Sequence, residues 1–252
     1  MRLLLDSGSQ YVVLTPRAAA RSGCSGGHDL PLVGAGASTA QNAKLLCART
    51  VEIDSFVAHD VNVLVANDHF ADGIDGVVPF VLFRPYLVRL NVPAKSLDLQ
   101  PYPDQTPARA EETAAVESND LLFVKCRLNR SRDAFFLLDT GASYNAVSLK
   151  LAKELASPDL MDRAVPLRGG TAAMEAPATG VLTRMQMGSL ELVPNPMVVV
   201  DLSLLSRYHQ MEIAGLIGFP ALRDATLVVN YRDRMVRIDR GKSAKHGEDP
   251  AN

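Results

Sequence analysis

Phe136-Leu137-Leu138-Asp139-Thr140-Gly141-Ala142-Ser143-Tyr144 repeats, 133 residues on, the opening of the chain, Leu3-Leu4-Leu5-Asp6-Ser7-Gly8-Ser9-Gln10-Tyr11. In each copy three apolar residues run into an aspartate, a hydroxyl residue and a glycine. An apolar run of this kind predicts a buried strand that delivers the aspartate at its end. The glycine permits a turn tight enough to bring backbone N–H groups onto the carboxylate. The same device used twice predicts two related halves with one acid each.

The match continues in register. Thr15 and Ser148 each fall nine residues after the aspartate. Each is a good N-cap, for helices predicted over 16–21 and 149–156. Pro16 suits the first helical position and Gly23 a C-cap. Pro31-Leu32-Val33-Gly34 resembles Pro166-Leu167-Arg168-Gly169, each opening a hairpin-like region. Strand-like runs follow at 50–56 and 61–65, and at 181–187 and 196–200. Gly73-Ile74-Asp75-Gly76 is then set against Gly215-Leu216-Ile217-Gly218, residues 87–91 against 227–231, and a closing strand at 96–99 against 235–238. By Asn91 and Asn230 the shift has grown to 139, as a loop insertion would produce.

Between the copies, Pro101-Tyr102-Pro103-Asp104-Gln105-Thr106-Pro107 and the acidic stretch after it read as a linker over 101–119. The expected organisation is a first lobe over 1–100, a second over 120–241, and a disordered polar tail over 242–252. The fold class is mainly β with a few short helices.

Composition sets the outer bounds. The chain has 252 residues, 47% hydrophobic and 21% charged, with a formal net charge of −2. That is globular composition, and no basic excess points to nucleic acid or an anionic membrane. Trp is absent and aromatics are 6%, which argues against an aromatic platform for sugars or bases. Cys24, Cys47 and Cys126 form no C-x-x-C pair, so they read as three separate small apolar residues, with one disulfide left open. The five scattered His residues show no ligand spacing, so no metal and no cofactor are expected. No apolar stretch approaches the length of a membrane span.

The two turns Asp6-Ser7-Gly8-Ser9 and Asp139-Thr140-Gly141-Ala142-Ser143, with Leu216-Ile217-Gly218, resemble the signature of aspartic proteases. Half-length units resemble the retropepsin-like branch, in particular the bacterial proteins called aspartyl protease family. The resemblance implies two retropepsin- or pepsin-like β-barrel lobes related by a pseudo-twofold axis. It implies Asp6 and Asp139 as catalytic residues, with Ser7, Gly8, Ser9, Thr140, Gly141 and Ala142 supporting them. It implies flaps whose tips carry Gly34 and Gly36 in one half and Gly169 and Gly170 in the other. Against the family pattern, Asp75 stands where an apolar residue belongs.

Two carboxylates held this close share one proton. One takes a proton from water while the other donates to a scissile carbonyl. The implied function is an aspartic endopeptidase acting on an extended polypeptide, as a monomeric pseudo-dimer. The alternatives are a catalytically silent peptide-binding or scaffold protein, and an obligate dimer. Ser9 can donate to Asp6 while Ala142 cannot donate to Asp139, so the proton is expected toward Asp139.

Other chemistries fail. Gly34-Ala35-Gly36-Ala37 lacks the third glycine of a dinucleotide loop, and there is no G-x-S-x-G elbow or Walker loop. Arg2-Leu3-Leu4-Leu5 is too short for the core of a signal peptide. Only five residues precede Asp6, against 19 ahead of Asp139 counted from Asp120. The first lobe is therefore expected to lack a strand and a turn, with that strand and a signal peptide or lipid anchor lying upstream. An extracytoplasmic location would follow from such a signal. The other reading is that another segment fills the place.

Overall fold

The computed structural model describes residues 1–37, 39–65, 73–104, 111–130, 132–155, 160–168, 173–179, 184–192 and 197–240. The first half runs β1 (Leu3–Asp6), β2 (Val12–Leu14), α1 (Pro16–Ser22), β3 (Ser25–Leu32), β4 (Gln41–Ile53), β5 (Phe56–Val65) and β6 (Gly76–Pro79), then a 3-10 turn (Phe80–Phe83), β7 (Leu87–Asn91) and β8 (Ser96–Gln100). The second half begins with β9 (Thr113–Ser118), β10 (Leu121–Leu128), β11 (Arg132–Leu138), β12 (Asn145–Ser148), α2 (Leu149–Glu154), β13 (Leu160–Arg168) and β14 (Ala173–Thr179). It continues through β15 (Met185–Met187), β16 (Leu190–Leu192), β17 (Met197–Val200), α3 (Ser203–His209), β18 (Ile213–Ile217), α4 (Phe219–Leu222), β19 (Ala225–Asn230) and β20 (Met235–Arg240).

The repeat seen in sequence is a repeat of topology. In the first half the strand order is β1-β6-β2-β5-β4-β3. In the second it is β11-β18-β12-β17-β14-β13, the same order element for element. Both helices begin on the expected hydroxyl caps. Thr15 Oγ1 accepts from Ala18 N and Ser148 Oγ from Leu151 N, each at 3.1 Å. Gly23 ends α1 in the left-handed conformation.

Three features depart from the sequence reading. The sheets are open rather than closed barrels. Thr113–Ser118, read as linker, is strand β9, paired with both β10 and β20. The third concerns the apolar-apolar-Gly motif of the first half, which is Val77-Val78-Pro79 rather than the frame ending at Gly76. Gly76 pairs with Leu3 as Gly215 pairs with Phe136. A Cβ on Gly76 would strike the Val13 carbonyl, and one on Gly215 the Ala146 carbonyl, which fixes the equivalence. Asp75 therefore precedes the motif. It accepts from Arg2 N at 2.9 Å and pairs with Arg21 at 2.8 Å.

In the corrected frame Pro79 stands opposite Gly218. Gly218 N donates to Asn145 Oδ1 at 2.9 Å. Proline has no N–H, and the residue matching Asn145 is Val12. Donor and acceptor have been replaced together, so neither is left buried and unpaired.

The halves meet in a shared sheet, β9-β20-β19-β7-β8. At its centre β7 and β19 pair with Leu90 opposite Leu227 and Val88 opposite Val229. The internal repeat equates Val88 with Leu227 and Leu90 with Val229, so each pair maps onto the other, as at an isologous interface. Strands β7 and β8, placed by sequence in the first lobe, thus belong to one sheet with the second half. One apolar core runs beneath it, from Phe80, Phe83 and Val88 to Phe136, Leu138 and Ile217. Among the described residues, β1 and β8 each carry a neighbour on one side only. Their counterparts β11 and β20 are flanked on both sides, by β10 and β9 respectively.

Candidate active site

Strand β1 ends at Asp6 and Asp139 directly follows β11, and the turns that follow face each other. The hydroxyl residues knit them together. Ser7 Oγ donates to the Leu138 carbonyl at 2.8 Å and accepts from Thr140 N at 3.0 Å. Thr140 Oγ1 donates to the Leu5 carbonyl at 2.8 Å and accepts from Ser7 N at 3.0 Å. Both side chains are buried, and four reciprocal bonds cross from one half to the other.

The glycines are small because the opposing acids occupy their space. A Cβ on Gly8 would lie 2.5 Å from Asp139 Cγ, and one on Gly141 would lie 2.6 Å from Asp6 Cγ. Each carboxyl group is thus seated against the other turn's glycine, and the two are hydrogen-bonded to one another.

Their backbone donors differ. Asp6 Oδ1 accepts from Gly8 N at 2.7 Å and Gly141 N at 3.3 Å. Asp139 Oδ1 accepts from Ala142 N at 2.9 Å. Burial raises the proton affinity of Asp6, opposed by Gly8 N–H, the hydrogen bond from Asp139 and Gly141 N–H. Burial also raises Asp139, and there the charge of Asp6 and the hydrogen bond to it push in the same direction, well above the usual carboxylate range. Both acids are thus pushed toward the protonated form, Asp139 more strongly than Asp6.

The donor expected from the sequence, the Ser9 hydroxyl, is not the cause of this difference. Ser9 Oγ donates its single proton to the Tyr11 carbonyl at 2.9 Å, not to Asp6. The asymmetry comes, after burial, from the charge of Asp6 and the hydrogen bond to it, which raise Asp139 alone. Ala142 takes part through its N–H, a role a side-chain reading could not reveal.

Gly34 and Gly36 lie in the loop joining β3 to β4, where Ala37 N donates to the Gly34 carbonyl at 3.2 Å. Val33 and Ala35, beside Gly34, pack on an apolar cluster of the second half that includes Leu137, Ala146 and Leu216. The tip of the first hairpin thus reaches across to the other half. Gly169 and Gly170 lie outside the described residues, as does the tail over 242–252. Cys24, Cys47 and Cys126 are all free thiols. Cys126 is buried, which pushes its thiol up to about 12.

Two matching β halves, each bringing one acid on an Asp-Ser/Thr-Gly turn to a common centre, define a two-lobed protein with paired aspartates. The family model described as aspartyl protease matches residues 1–78 and 124–221, one segment in each half, and the chain belongs to this retropepsin-like family. A comparison with curated proteins finds no match.

Proposed function

We propose that the protein is an aspartic endopeptidase that hydrolyses peptide bonds with a water activated between Asp6 and Asp139. The observation that carries this reading is the mutual seating of the two carboxyl groups on the two glycine turns. We take Asp139, the more strongly raised of the two, as the protonated partner. Asp6, as the ionised partner, takes a proton from the attacking water. Asp139 gives its proton to the carbonyl oxygen as the tetrahedral carbon forms. The Ser7–Thr140 bonds hold the acids in register, so little reorganisation accompanies the proton shifts.

The substrate is a polypeptide lying extended beneath the β3–β4 tip, held by backbone hydrogen bonds. Val33, Ala35 and Tyr144, half-buried at the margin of the apolar cluster under that tip, favour apolar side chains in the substrate. Because both acids come from one chain and the halves share a sheet, the working unit is a monomer. The test is hydrolysis of an unfolded protein by wild type, Asp6→Asn and Asp139→Asn, with sedimentation of the active species. Each substitution should lower kcat about 100-fold or more while circular dichroism stays unchanged. Activity retained within about tenfold of wild type in either variant overturns the reading.

A further inference from the structure

The second half shows what covers a part of the fold that stands open in the first. There the hairpin β9–β10 fills a slot between two strand edges. β9 pairs with β20, and β10 pairs with β11 and with β15. The hairpin's inward residues, among them Leu122, Val124 and Leu128, complete the core over Phe136, Leu138, Met187, Val229, Val236 and Ile238. Those six are at most 5% exposed.

Their counterparts in the first half are Leu3, Leu5, Ile53, Leu90, Leu97 and Leu99. All six pack against the core but are only half-buried. They lie between the outer edges of β1 and β8, where no described strand pairs. An apolar floor bounded by two unpaired edges is the geometry that strand addition uses.

Charge supplies an independent indication. In the second half the hairpin's acidic turn is held by cations: Arg84 pairs with Glu117, and with Asp120 at 2.7 Å, while Arg234 Nε lies 3.7 Å from Glu117. The repeat, at its shift of 139, equates Arg84 with Arg223 and Arg234 with Lys95. Arg223 and Lys95 are cationic at the corresponding places and have no ion-pair partner among the described residues. Floor, edges and charges thus all match one kind of occupant.

We infer that this slot is a docking site for a β-hairpin of a partner polypeptide, with alternating apolar residues and acidic groups at its turn. Its first strand pairs antiparallel with β8 as β9 does with β20, placing Ser96 and Leu97 where Met235 and Val236 stand. Its second strand pairs antiparallel with β1 as β10 does with β11, placing Leu3 and Leu4 where Phe136 and Leu137 stand. Its acidic turn lies between Arg223 and Lys95. Docking gives the first half the strand neighbours that the second already has.

The probe is a synthetic peptide of residues 111–130, the chain's own hairpin, titrated into the full chain with an N-terminal fluorophore. Saturable binding is expected. Lys95→Glu with Arg223→Glu should weaken it at least about tenfold. A peptide carrying Glu117→Lys and Asp120→Lys should recover binding to that double variant. Leu97→Lys, on the floor of the slot, should remove binding. No saturation up to about 1 mM overturns the inference. So does weakening by Arg84→Glu but not by the Lys95/Arg223 pair, because the peptide would then be exchanging with β9–β10. A dimer in sedimentation that Leu97→Lys disperses, with no peptide present, overturns it as well, assigning the surface to a second copy.

Discussion

Gly8 has no side chain because the carboxyl group of Asp139 stands where its Cβ would be, 2.5 Å from Cγ. Gly141 bears the same relation to Asp6, at 2.6 Å. Gly8→Ala and Gly141→Ala should each drive the opposing carboxyl away from its partner. The expected result is loss of peptide hydrolysis by at least about 100-fold, the scale of acid–base catalysis, with a lowered Tm. Kinetics beside a thermal melt check this, and an active Gly8→Ala enzyme would refute the seating.

The dyad predicts a bell-shaped pH profile for kcat/KM. Hydrolysis requires one proton on the pair. Burial raises both groups, so the acid limb should lie above the ordinary carboxylate value of 3.8, and the alkaline limb higher still. The two apparent values belong to the pair. Stability follows with a definite sign. The native state holds the Asp139 proton that the unfolded chain has released, so this contribution is complete below 3.8 and is lost as pH rises through the raised native value. Urea melts across that window should show stability falling with pH, and Asp139→Asn should flatten the slope.

Ser9→Ala should leave the acid limb where it is. The Ser9 hydroxyl donates to the Tyr11 carbonyl, and no proton remains for Asp6. A shift of the limb by half a pH unit or more, about 0.7 kcal/mol, would reassign that hydroxyl to the dyad.

Thr140→Ala strands two groups at once, Ser7 N–H and the Leu5 carbonyl. A buried polar group left without a partner costs about 1–3 kcal/mol. The expected drop in Tm is several degrees. Thr140→Ser keeps the hydroxyl and should restore most of it. Equal melting of the Ala and Ser variants would mean that the hydroxyl does not bind the halves together.

Features that a short stretch determines were legible in the sequence. The apolar triplets, the Asp-Ser/Thr-Gly turns, the Thr15 and Ser148 caps and strands such as Leu87–Asn91 and Ser96–Gln100 were all read from local pattern. What failed depended on partners distant in the chain. β9 is short and made largely of small residues, with only Thr113 and Ala115 buried, and it is a strand because β20 and β10 lie on either side. Around residue 75 the glycine spacing of Gly73-Ile74-Asp75-Gly76 was matched to Gly215–Gly218, and Pro79 in place of the last glycine concealed the true frame. The deciding fact, that Gly76 passes over the Val13 carbonyl, belongs to the folded chain. The sequence pointed the Ser9 hydroxyl at Asp6, and the path of the folded turn carries it to the Tyr11 carbonyl instead.

Where the second half holds Asn145 and Gly218 in a hydrogen bond, the first holds Val12 and Pro79. An assembly of two identical subunits could not contain that difference, since every codon change would be expressed on both sides of its axis. Two copies written into one gene mutate separately. One turn can drift toward a better acid and the other toward a better base, and selection can act on each without disturbing its twin.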